Sequence, residues 1–567
     1  MNNKSNAIKL VFALVSVVLG ILLGWHTLAT PPPVSAQSDG MSAYRMADHT
    51  RVIAAEERSV FHYERRMYVR DYIIDFMEGL GLVAEVDNFT ATTDDIRLSL
   101  YEEFGSIITD DFFYPPRLGI TMYGSNVLFR QQGRSDTAIM LMAHIDSAGV
   151  GMSLYPGTDA RSPGASDSGY GVVLMLELAR YFEGRELENT IYYFFTDLEE
   201  LGLLGARHAV RTMDFSNVSM ILNLEARGIR GPVYMFETNA GDLETIRFFN
   251  EAVRQPLAWS IASAVYRAMP NGTDLTPFLN AGFSGMNFAP LNSLLYYHTE
   301  HDSYENISLT TMQHYIDQVG ALVELFATDA RFSDRYIFNS ARTGVYFTLP
   351  FGILVLYTDI VAIAISIILF ILVGLLIVFY TRSKQIKIGK SAIWSLMLIG
   401  ALLVSAGIGW LIDAIIFLFV NSRENFLFVI SIEMFIMWPV VVVMLALFTF
   451  LHKIFRNKFS RNEMAVGVFA LLAIINLVIS FIMVEATFLI TIPLLLALIC
   501  FLLSKVGTIH QKNVLLYIIM AIPTIVIITL LTPLAFTFTL ALTIQGLFVI
   551  LLLSVLMTMP LPALWRD

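Results

Sequence analysis

Long apolar runs at both ends of the chain flank a central part in which apolar and polar positions alternate. One run covers about residues 9–29, and seven more follow Pro350. Each run is long enough to cross the roughly 30 Å hydrocarbon core of a bilayer as a helix. The later seven lie at about 354–380, 391–419, 425–452, 464–483, 486–504, 513–533 and 536–558. The pattern predicts an integral membrane protein whose residues 346–567 form an all-α polytopic domain of about seven transmembrane helices.

Residues 1–36 form either a membrane anchor or a cleaved signal. Val34-Ser35-Ala36 resembles the small-residue cleavage site of a signal peptide, and Pro31 to Pro33 end any preceding helix. The apolar run is longer than the core of a usual signal, which favours an uncleaved anchor. Under both interpretations residues 37–345 form a domain that is exported from the cytoplasm.

Basic residues indicate how the apolar runs cross the membrane. Lys4 precedes the first run, and clusters at 382–390, 453–461 and 505–512 follow the second, fourth and sixth runs. The alternate connections are short and poor in charge. Because short positively charged loops stay on the cytoplasmic side, we expect both termini in the cytoplasm and residues 37–345 outside it.

Composition and charge separate the two large parts further. Apolar residues make up 56% of the 567 residues and charged residues 15%, whereas soluble proteins have about 45–50% and about 25%. Residues 346–567 carry 12 basic and 7 acidic side chains, and residues 1–345 carry 25 and 41. So acidic a surface argues against a nucleic-acid partner. The only cysteine is Cys500, which excludes a disulfide framework and Cys-ligated zinc.

Three acidic residues, Asp359, Asp413 and Glu433, fall inside the predicted membrane helices. Charges are costly in hydrocarbon and are often functional there. They either form a shared polar site or proton path, or they lie at helix ends that are hydrated at the membrane interface.

The central part alternates helical and strand patterns. Helical patterns lie at 51–81, 168–183, 201–212, 242–254 and 308–330, and β-rich runs lie at 137–143, 189–196, 218–224, 232–237 and 284–289. Strands joined by crossover helices predict an α/β domain with a mixed, mostly parallel sheet. Ligands of such sheets gather at the carboxyl ends of the strands.

Candidate metal ligands occur after the first predicted strand of this domain and in the loop before its next helix. The strand at 137–143 is followed by His144 and Asp146, and an imidazole oriented by a carboxylate is a good zinc ligand. A glycine-flanked loop then places Asp167 at the start of a helix. That carboxylate can bridge two metals or simply cap the helix.

Further acidic and imidazole groups follow the later strands. Glu199 and Glu200 come after the run at 189–196, and Glu225 follows the run at 218–224. Of two adjacent carboxylates, one can bind a cation while the other takes a proton from water, although such a pair also occurs at solvated helix starts. His298 adds a second imidazole.

The order His, Asp, Glu-Glu, Glu, His over about residues 60–330 resembles metallopeptidase family 28, the co-catalytic zinc aminopeptidases. The resemblance implies a zinc-exopeptidase fold and two zinc ions. His144 and Glu225 would hold one ion, Glu200 and His298 the other, and Asp167 would bridge both.

The same resemblance assigns two catalytic roles and a branch of the family. Glu199 would be the general base, and Asp146 would be the carboxylate behind His144. Many soluble aminopeptidases of the family carry Asp where this chain has Glu225, while the multi-spanning membrane members show a Glu-Ala context. The overall plan resembles the endoplasmic-reticulum and vacuolar membrane proteases.

These features predict a membrane-anchored zinc exopeptidase, in particular an aminopeptidase, whose partners are peptide substrates and the lipid bilayer. Two alternatives stay open: a glutaminyl-cyclase-like enzyme with one zinc, and a protein that binds or transports peptides. The cysteine-free exported domain favours a bacterial plasma membrane. No pattern indicates an oligomeric state.

Overall fold

A computed structural model describes residues 2–92, 95, 121–149, 161–269, 271–419, 423–455, 457–505 and 513–565. Two basic residues used above for orientation, Arg456 and Lys512, lie outside the described residues, as does the side chain of Glu433. The chain divides into two compact units. One comprises Ala29–Gly344, and the other comprises Met1–Leu28, which contains helix α1 (Asn2–His26), together with Val345–Asp567.

The first unit is built on a seven-stranded sheet with the order β1-β2-β4-β3-β5-β7-β6. Its strands are Ala84–Thr92 (β1), Thr121–Gln131 (β2), Ser135–His144 (β3), Asn189–Thr196 (β4), Val218–Leu224 (β5), Arg230–Thr238 (β6) and Gly285–Asn292 (β7). The four central strands β4, β3, β5 and β7 are parallel, and the outer pairings are antiparallel. The predicted mixed, mostly parallel sheet is confirmed.

Burial explains which strands the sequence predicted. Every residue of β4 and β5 is buried, as expected of parallel strands covered on both faces, and their continuous apolar runs are easily recognised. The antiparallel edge strand β1 is largely exposed. Its polar sequence shows no clear strand pattern, and it was missed. Strand β2 was also missed, although its central residues are buried.

Helices flank this sheet, and one of the predicted helices is interrupted. The helices of this unit are Ala43–Ile53 (α2), Tyr63–Gly79 (α3), Gly169–Phe182 (α4), Leu204–Thr212 (α5), Leu243–Ala252 (α6), Ser260–Ala268 (α7), Leu275–Asn280 (α8), Leu309–Tyr315 (α9) and Ala321–Thr328 (α10). The prediction of one helix over 51–81 was wrong between α2 and α3. That connection carries Arg58, whose side chain is fully buried and holds other loops.

The second unit is a bundle of apolar helices. They are α1 and Asp359–Arg382 (α11), Ile388–Phe419 (α12), Arg423–Phe455 (α13), Arg461–Ile482 (α14), Phe488–Leu503 (α15), Asn513–Leu542 (α16), Leu547–Thr558 (α17) and Leu561–Leu564 (α18). A two-stranded sheet of Gly344–Leu349 (β8) and Ile353–Thr358 (β9) precedes α11. Within the described ranges, seven stretches are long and apolar enough to cross a membrane, and α15 is a shorter apolar helix. The helical region that was expected after the α/β domain is therefore present.

The last two long helices divide at a different place from the one predicted. The predicted spans 513–533 and 536–558 meet at Pro533, but α16 continues through that proline to Leu542. The break falls at the turn Thr543–Gly546. Proline removes one backbone hydrogen bond of a helix, and a packed neighbour makes this tolerable in a transmembrane helix.

The neighbour of this proline is α1, which approaches α16 through two glycines. A Cβ added to Gly20 would lie 2.7 Å from the Cβ of Ile528. A Cβ added to Gly24 would lie 2.7 Å from the carbonyl oxygen of Thr529 and 3.1 Å from Pro533. Small residues allow helix backbones to approach closely in membranes, so α1 is an integral member of the bundle.

Helices α1 and α16 also run in the same direction. Near their amino-terminal ends the rings of Phe12 and Tyr517 lie 5.9 Å apart, and further along the rings of Trp25 and Phe536 lie 4.9 Å apart. Two helices that pack side by side in parallel must cross a membrane in the same sense.

Candidate metal centre

The candidate ligands lie at one edge of the seven-stranded sheet. His144 is the last residue of β3, and Glu225 directly follows β5. Glu200 lies in the turn after β4, and His298 lies in the loop after β7. Because these four strands are parallel, their carboxyl ends bring the four side chains together. Asp167 joins them from the loop that leads into α4.

The five side chains form two adjoining groups that share one carboxylate. Asp167 Oδ1 lies 3.3 Å from His144 Nε2, which is 3.7 Å from Glu225 Oε2. The other oxygen, Asp167 Oδ2, lies 3.1 Å from His298 Nε2, which is 3.2 Å from Glu200 Oε2. Within each group the potential ligand atoms all lie within 4.8 Å of one another. The structure therefore brings together all five residues that the sequence singled out as metal ligands.

These side chains fit divalent cations. Three of their buried atoms, His144 Nε2, Asp167 Oδ2 and Glu200 Oε1, have no hydrogen-bond partner among the described residues. Buried polar atoms are normally satisfied, and a cation would satisfy all three. Imidazole nitrogen and carboxylate oxygen are donors that zinc accepts.

Asp146 connects the first imidazole with the two adjacent glutamates. Its Oδ1 lies 3.4 Å from His144 Nδ1 and accepts a hydrogen bond from the backbone N–H of Glu199 at 3.1 Å. Its Oδ2 accepts from the backbone N–H of Glu200 at 3.3 Å. The fully buried carboxylate of Asp146 therefore orients His144 of the first group, Glu200 of the second group and the neighbouring Glu199.

Glu199 lies among negative charges. Its carboxylate joins His144 and Glu200 in a third potential ligand group. Desolvation raises the pKa of Glu199 well above its usual value, the charges of Glu225 and Glu200 raise it further, and His144 opposes them. A bound cation would offset this excess of negative charge and favour the carboxylate form.

The two imidazoles and Asp167 stabilise one another's charged forms. Burial alone would lower the pKa of His298, but Glu200 and Asp167 raise it to about 10. Burial would raise the pKa of Asp167, but the adjacent imidazoles of His144 and His298 lower it.

Asp302 positions Asp167, a role that the sequence pattern did not indicate. Its carboxylate accepts hydrogen bonds from the N–H of Ser166 at 2.8 Å, from the hydroxyl of Ser166 at 2.9 Å and from the N–H of Asp167 at 3.1 Å. Burial and the charge of Asp167 raise the pKa of Asp302 to about 6. The aspartate four residues after His298 thus fixes the loop that carries the shared ligand.

Arg58 holds the same loop from the other side. Its guanidinium donates to the carbonyl oxygen of Ile145 at 2.7 Å, to that of Gly164 at 2.8 Å and also to that of Pro163. The side chain is fully buried, and burial lowers its pKa to about 10. A basic residue 106 positions before Gly164 thereby ties the end of β3 to the start of the Asp167 loop.

A buried ion pair holds the turn with the two glutamates. Arg66 Nη1 lies 2.6 Å from the Asp197 carboxylate. The same carboxylate accepts from the N–H of Ser125 at 3.0 Å and of Leu198 at 2.9 Å. Burial raises the pKa of Asp197 to about 6 although Arg66 opposes this shift. The turn that presents Glu199 is therefore anchored to β2 and α3.

Sequence comparison matches this part of the chain to a family of peptidases. The family model described as Peptidase family M28 matches residues 126–323. The vacuolar membrane protease of Candida dubliniensis is 27% identical over 340 residues, which cover 58% of this chain and 33% of that protein. The vacuolar membrane protease of Schizosaccharomyces japonicus is 25% identical over 333 residues, which cover 57% of this chain and 35% of that protein. The chain thus spans about a third of the length of these relatives.

Solved structures of similar fold include a zinc aminopeptidase and a glutaminyl cyclase. The aminopeptidase from Bacillus subtilis has a TM-score of 0.38 at 17% identity and covers 52% of this chain and 97% of its own. The glutaminyl cyclase from Porphyromonas gingivalis has a TM-score of 0.36 at 18% identity, and the match covers 52% of this chain and 98% of the cyclase chain. The family match spans every candidate ligand from His144 to His298, and residues 126–323 of this chain are a domain of peptidase family M28.

Proposed function

We propose that this protein is a membrane-bound zinc aminopeptidase that hydrolyses peptides at a two-metal site. One observation carries the proposal: five buried or nearly buried ligand side chains from separate strand ends and loops converge, and three of their atoms have no other partner among the described residues. The family match and the membrane-protease relatives agree with it. Residues 37–345 would be the catalytic domain, 346–567 the membrane domain and 1–36 the anchor.

The two groups of side chains would each hold one zinc ion. His144 and Glu225 belong to the first ion, Glu200 and His298 to the second, and Asp167 to both. The two oxygens of Asp167 facing different imidazoles support this division. Two bound zinc ions would lower the pKa of a water molecule and polarise the scissile carbonyl group.

Glu199 would then act as general base. Its carboxylate accepts the proton of the attacking water and passes it to the departing amine. Asp146 holds this glutamate through its backbone N–H, so the base is fixed while its side chain remains available. The acidic surroundings suit the ammonium group of a peptide amino terminus.

The orientation in the membrane follows from the basic clusters. We infer that both termini lie in the cytoplasm and that the catalytic domain lies outside it, in a bacterial plasma membrane. The parallel packing of α1 and α16 supports this alternation, because the predicted order of spans gives both helices the same direction.

The substitution Glu199→Gln tests the proposed base. We expect bound zinc to stay at the wild-type level, while hydrolysis of a peptide library with free amino termini falls by about 10²–10⁴-fold, the usual contribution of a general base. Glu78→Gln, at an exposed position on α3, is the matched control and should retain activity. Full activity of the Glu199→Gln variant would refute the assigned role, and equal cleavage of amino-terminally acetylated peptides would refute aminopeptidase specificity.

A further inference from the structure

A basic cavity lies at one end of the helical bundle, where the loops after α11 and α13 meet. Its volume is about 410 Å³. Its polar and charged lining includes Lys384, Lys387, Lys390, Lys458, Ser460 and Glu463. The metal centre and the proposed hydrolysis make no use of these residues.

Hydrogen bonds join the two loops around the cavity. The Nζ group of Lys390 donates to the carbonyl oxygen of Lys458 at 2.8 Å. The backbone N–H of Lys387 donates to Glu463 Oε1 at 3.1 Å. These contacts fix the walls of the cavity, so the basic side chains are presented by a built structure and not by two independent loops.

The cavity carries an excess of positive charge. Four lysines face one acidic residue, Glu463. Both oxygens of that carboxylate already accept backbone N–H groups, from Lys387 and from Ser460. Its charge therefore serves the backbone at the start of α14, and the cavity keeps an excess of positive charge that suits an anion.

One helix adds to the positive potential because it begins beside the cavity. Helix α12 begins at Ile388, and the amino-terminal end of a helix carries a partial positive charge. The start of α14 is already capped by Ser460 and Glu463. The ammonium groups and the start of α12 thus favour a phosphate group.

Apolar side chains adjoining the cavity in sequence indicate the rest of the ligand. Ile388 is 57% exposed and Ile393 is 52% exposed. They follow Lys387 and Lys390 closely along the chain. A ligand with a phosphate and hydrocarbon chains matches both features, and basic pockets between transmembrane helices bind such headgroups. We propose that this cavity binds the phosphate-bearing headgroup of an anionic phospholipid.

Native mass spectrometry of the full-length protein in neutral detergent tests the proposal. The probes are phosphatidylglycerol and phosphatidylcholine with identical acyl chains. The wild-type protein should bind phosphatidylglycerol in clear preference. Lys384→Gln with Lys387→Gln should weaken that binding about thirtyfold, because each basic side chain near an anionic headgroup contributes about 1 kcal/mol and 1.4 kcal/mol corresponds to a factor of ten.

The control removes the same charge outside the cavity lining. Lys453→Gln with Lys505→Gln should leave the preference for phosphatidylglycerol unchanged. Equal binding of the two lipids by the wild-type protein, or equal losses in both double variants, would overturn the proposal. Competition by inorganic phosphate as strong as that by short-chain phosphatidylglycerol would also overturn it, because the site would then recognise free phosphate. Zinc loading and hydrolysis do not enter this measurement, so its outcome is independent of the proposed activity.

Discussion

The substitution Asp302→Asn should weaken the metal centre without touching a ligand. The carboxylate accepts three hydrogen bonds from the loop that carries Asp167, two of them from Ser166. Asparagine has one acceptor oxygen, which can serve Ser166. Its NH₂ group then faces the N–H of Asp167, where two donors meet and the third hydrogen bond is lost.

The size of the effect follows from that lost bond. A hydrogen bond to a charged group contributes about 1.5–3 kcal/mol, so the loop should be destabilised by about 2 kcal/mol. Substitutions behind metal ligands typically cost about 10–100-fold in metal affinity. We therefore expect zinc affinity to fall within that range, with the fold otherwise intact.

Chelator competition for zinc and hydrogen exchange of residues 164–168 measure the two effects. Asp302→Glu keeps the charge and both acceptors and should recover part of the affinity. Asp75→Asn, at an exposed position on α3, removes one acidic charge elsewhere and should change neither quantity. Wild-type zinc affinity together with wild-type exchange in the Asp302→Asn variant would refute the positioning role.

Three further substitutions test the scaffold. Arg66→Met should lower stability by about 3–5 kcal/mol in thermal unfolding, because it leaves Asp197 buried and unpaired, and adding Asp197→Asn should restore most of the loss. Burial lowers the pKa of His314 from 6.5 to about 4, so the unfolded chain binds a proton at this imidazole more readily than the folded chain. The stability contributed by neutral His314 is therefore present above pH 6.5 and is lost as the pH falls towards 4. The loss amounts to about 3 kcal/mol. His314→Gln should remove this part of the difference in unfolding temperature between neutral and acidic pH, and an identical pH profile in the variant would contradict it. Gly24→Val should loosen α1 in limited proteolysis, since its Cβ would lie 2.7 Å from a carbonyl oxygen of α16, whereas Gly374→Val, with open space around it, should not.

The positions of the candidate ligands were predictable because they follow buried strands directly in the sequence. His144 ends β3 and Glu225 follows β5, and an apolar run followed by a polar group is visible without a structure. Parallel pairing then brings such groups to one edge of the sheet. The convergence of the five side chains thus depends on a pattern that the sequence contains.

The residues that hold these ligands were not predictable in the same way. Asp302 contacts Asp167 across 135 positions, and Arg58 contacts Gly164 across 106. Arg58 also lies in the segment that the pattern assigned to a continuous helix. Its charged side chain is typical of an exposed helix face, and only the fold shows that three carbonyl groups bind it in the interior.

In the second unit, contacts between helices add information on α15 that its hydropathy alone does not give. Helix α15 has 16 residues, about 24 Å at 1.5 Å per residue, which is short for a hydrocarbon core of roughly 30 Å. Just beyond its end, the Nζ group of Lys505 donates to Asn462 Oδ1 at 2.7 Å, next to the start of α14. The end of α15 thus lies close to the beginning of a helix of 22 residues, as we expect if α15 crosses the membrane fully.

The direction of α16 leads to the same conclusion independently. In the predicted order α1 is the first crossing, α15 the sixth and α16 the seventh. If α15 entered the membrane and returned to the same side, α16 would start from the opposite side and would run against α1. The ring pairs Phe12–Tyr517 and Trp25–Phe536 require that the two helices run in parallel. We therefore expect the short helix to cross the membrane, and local thinning of the bilayer is the usual way in which a membrane accommodates so short a span.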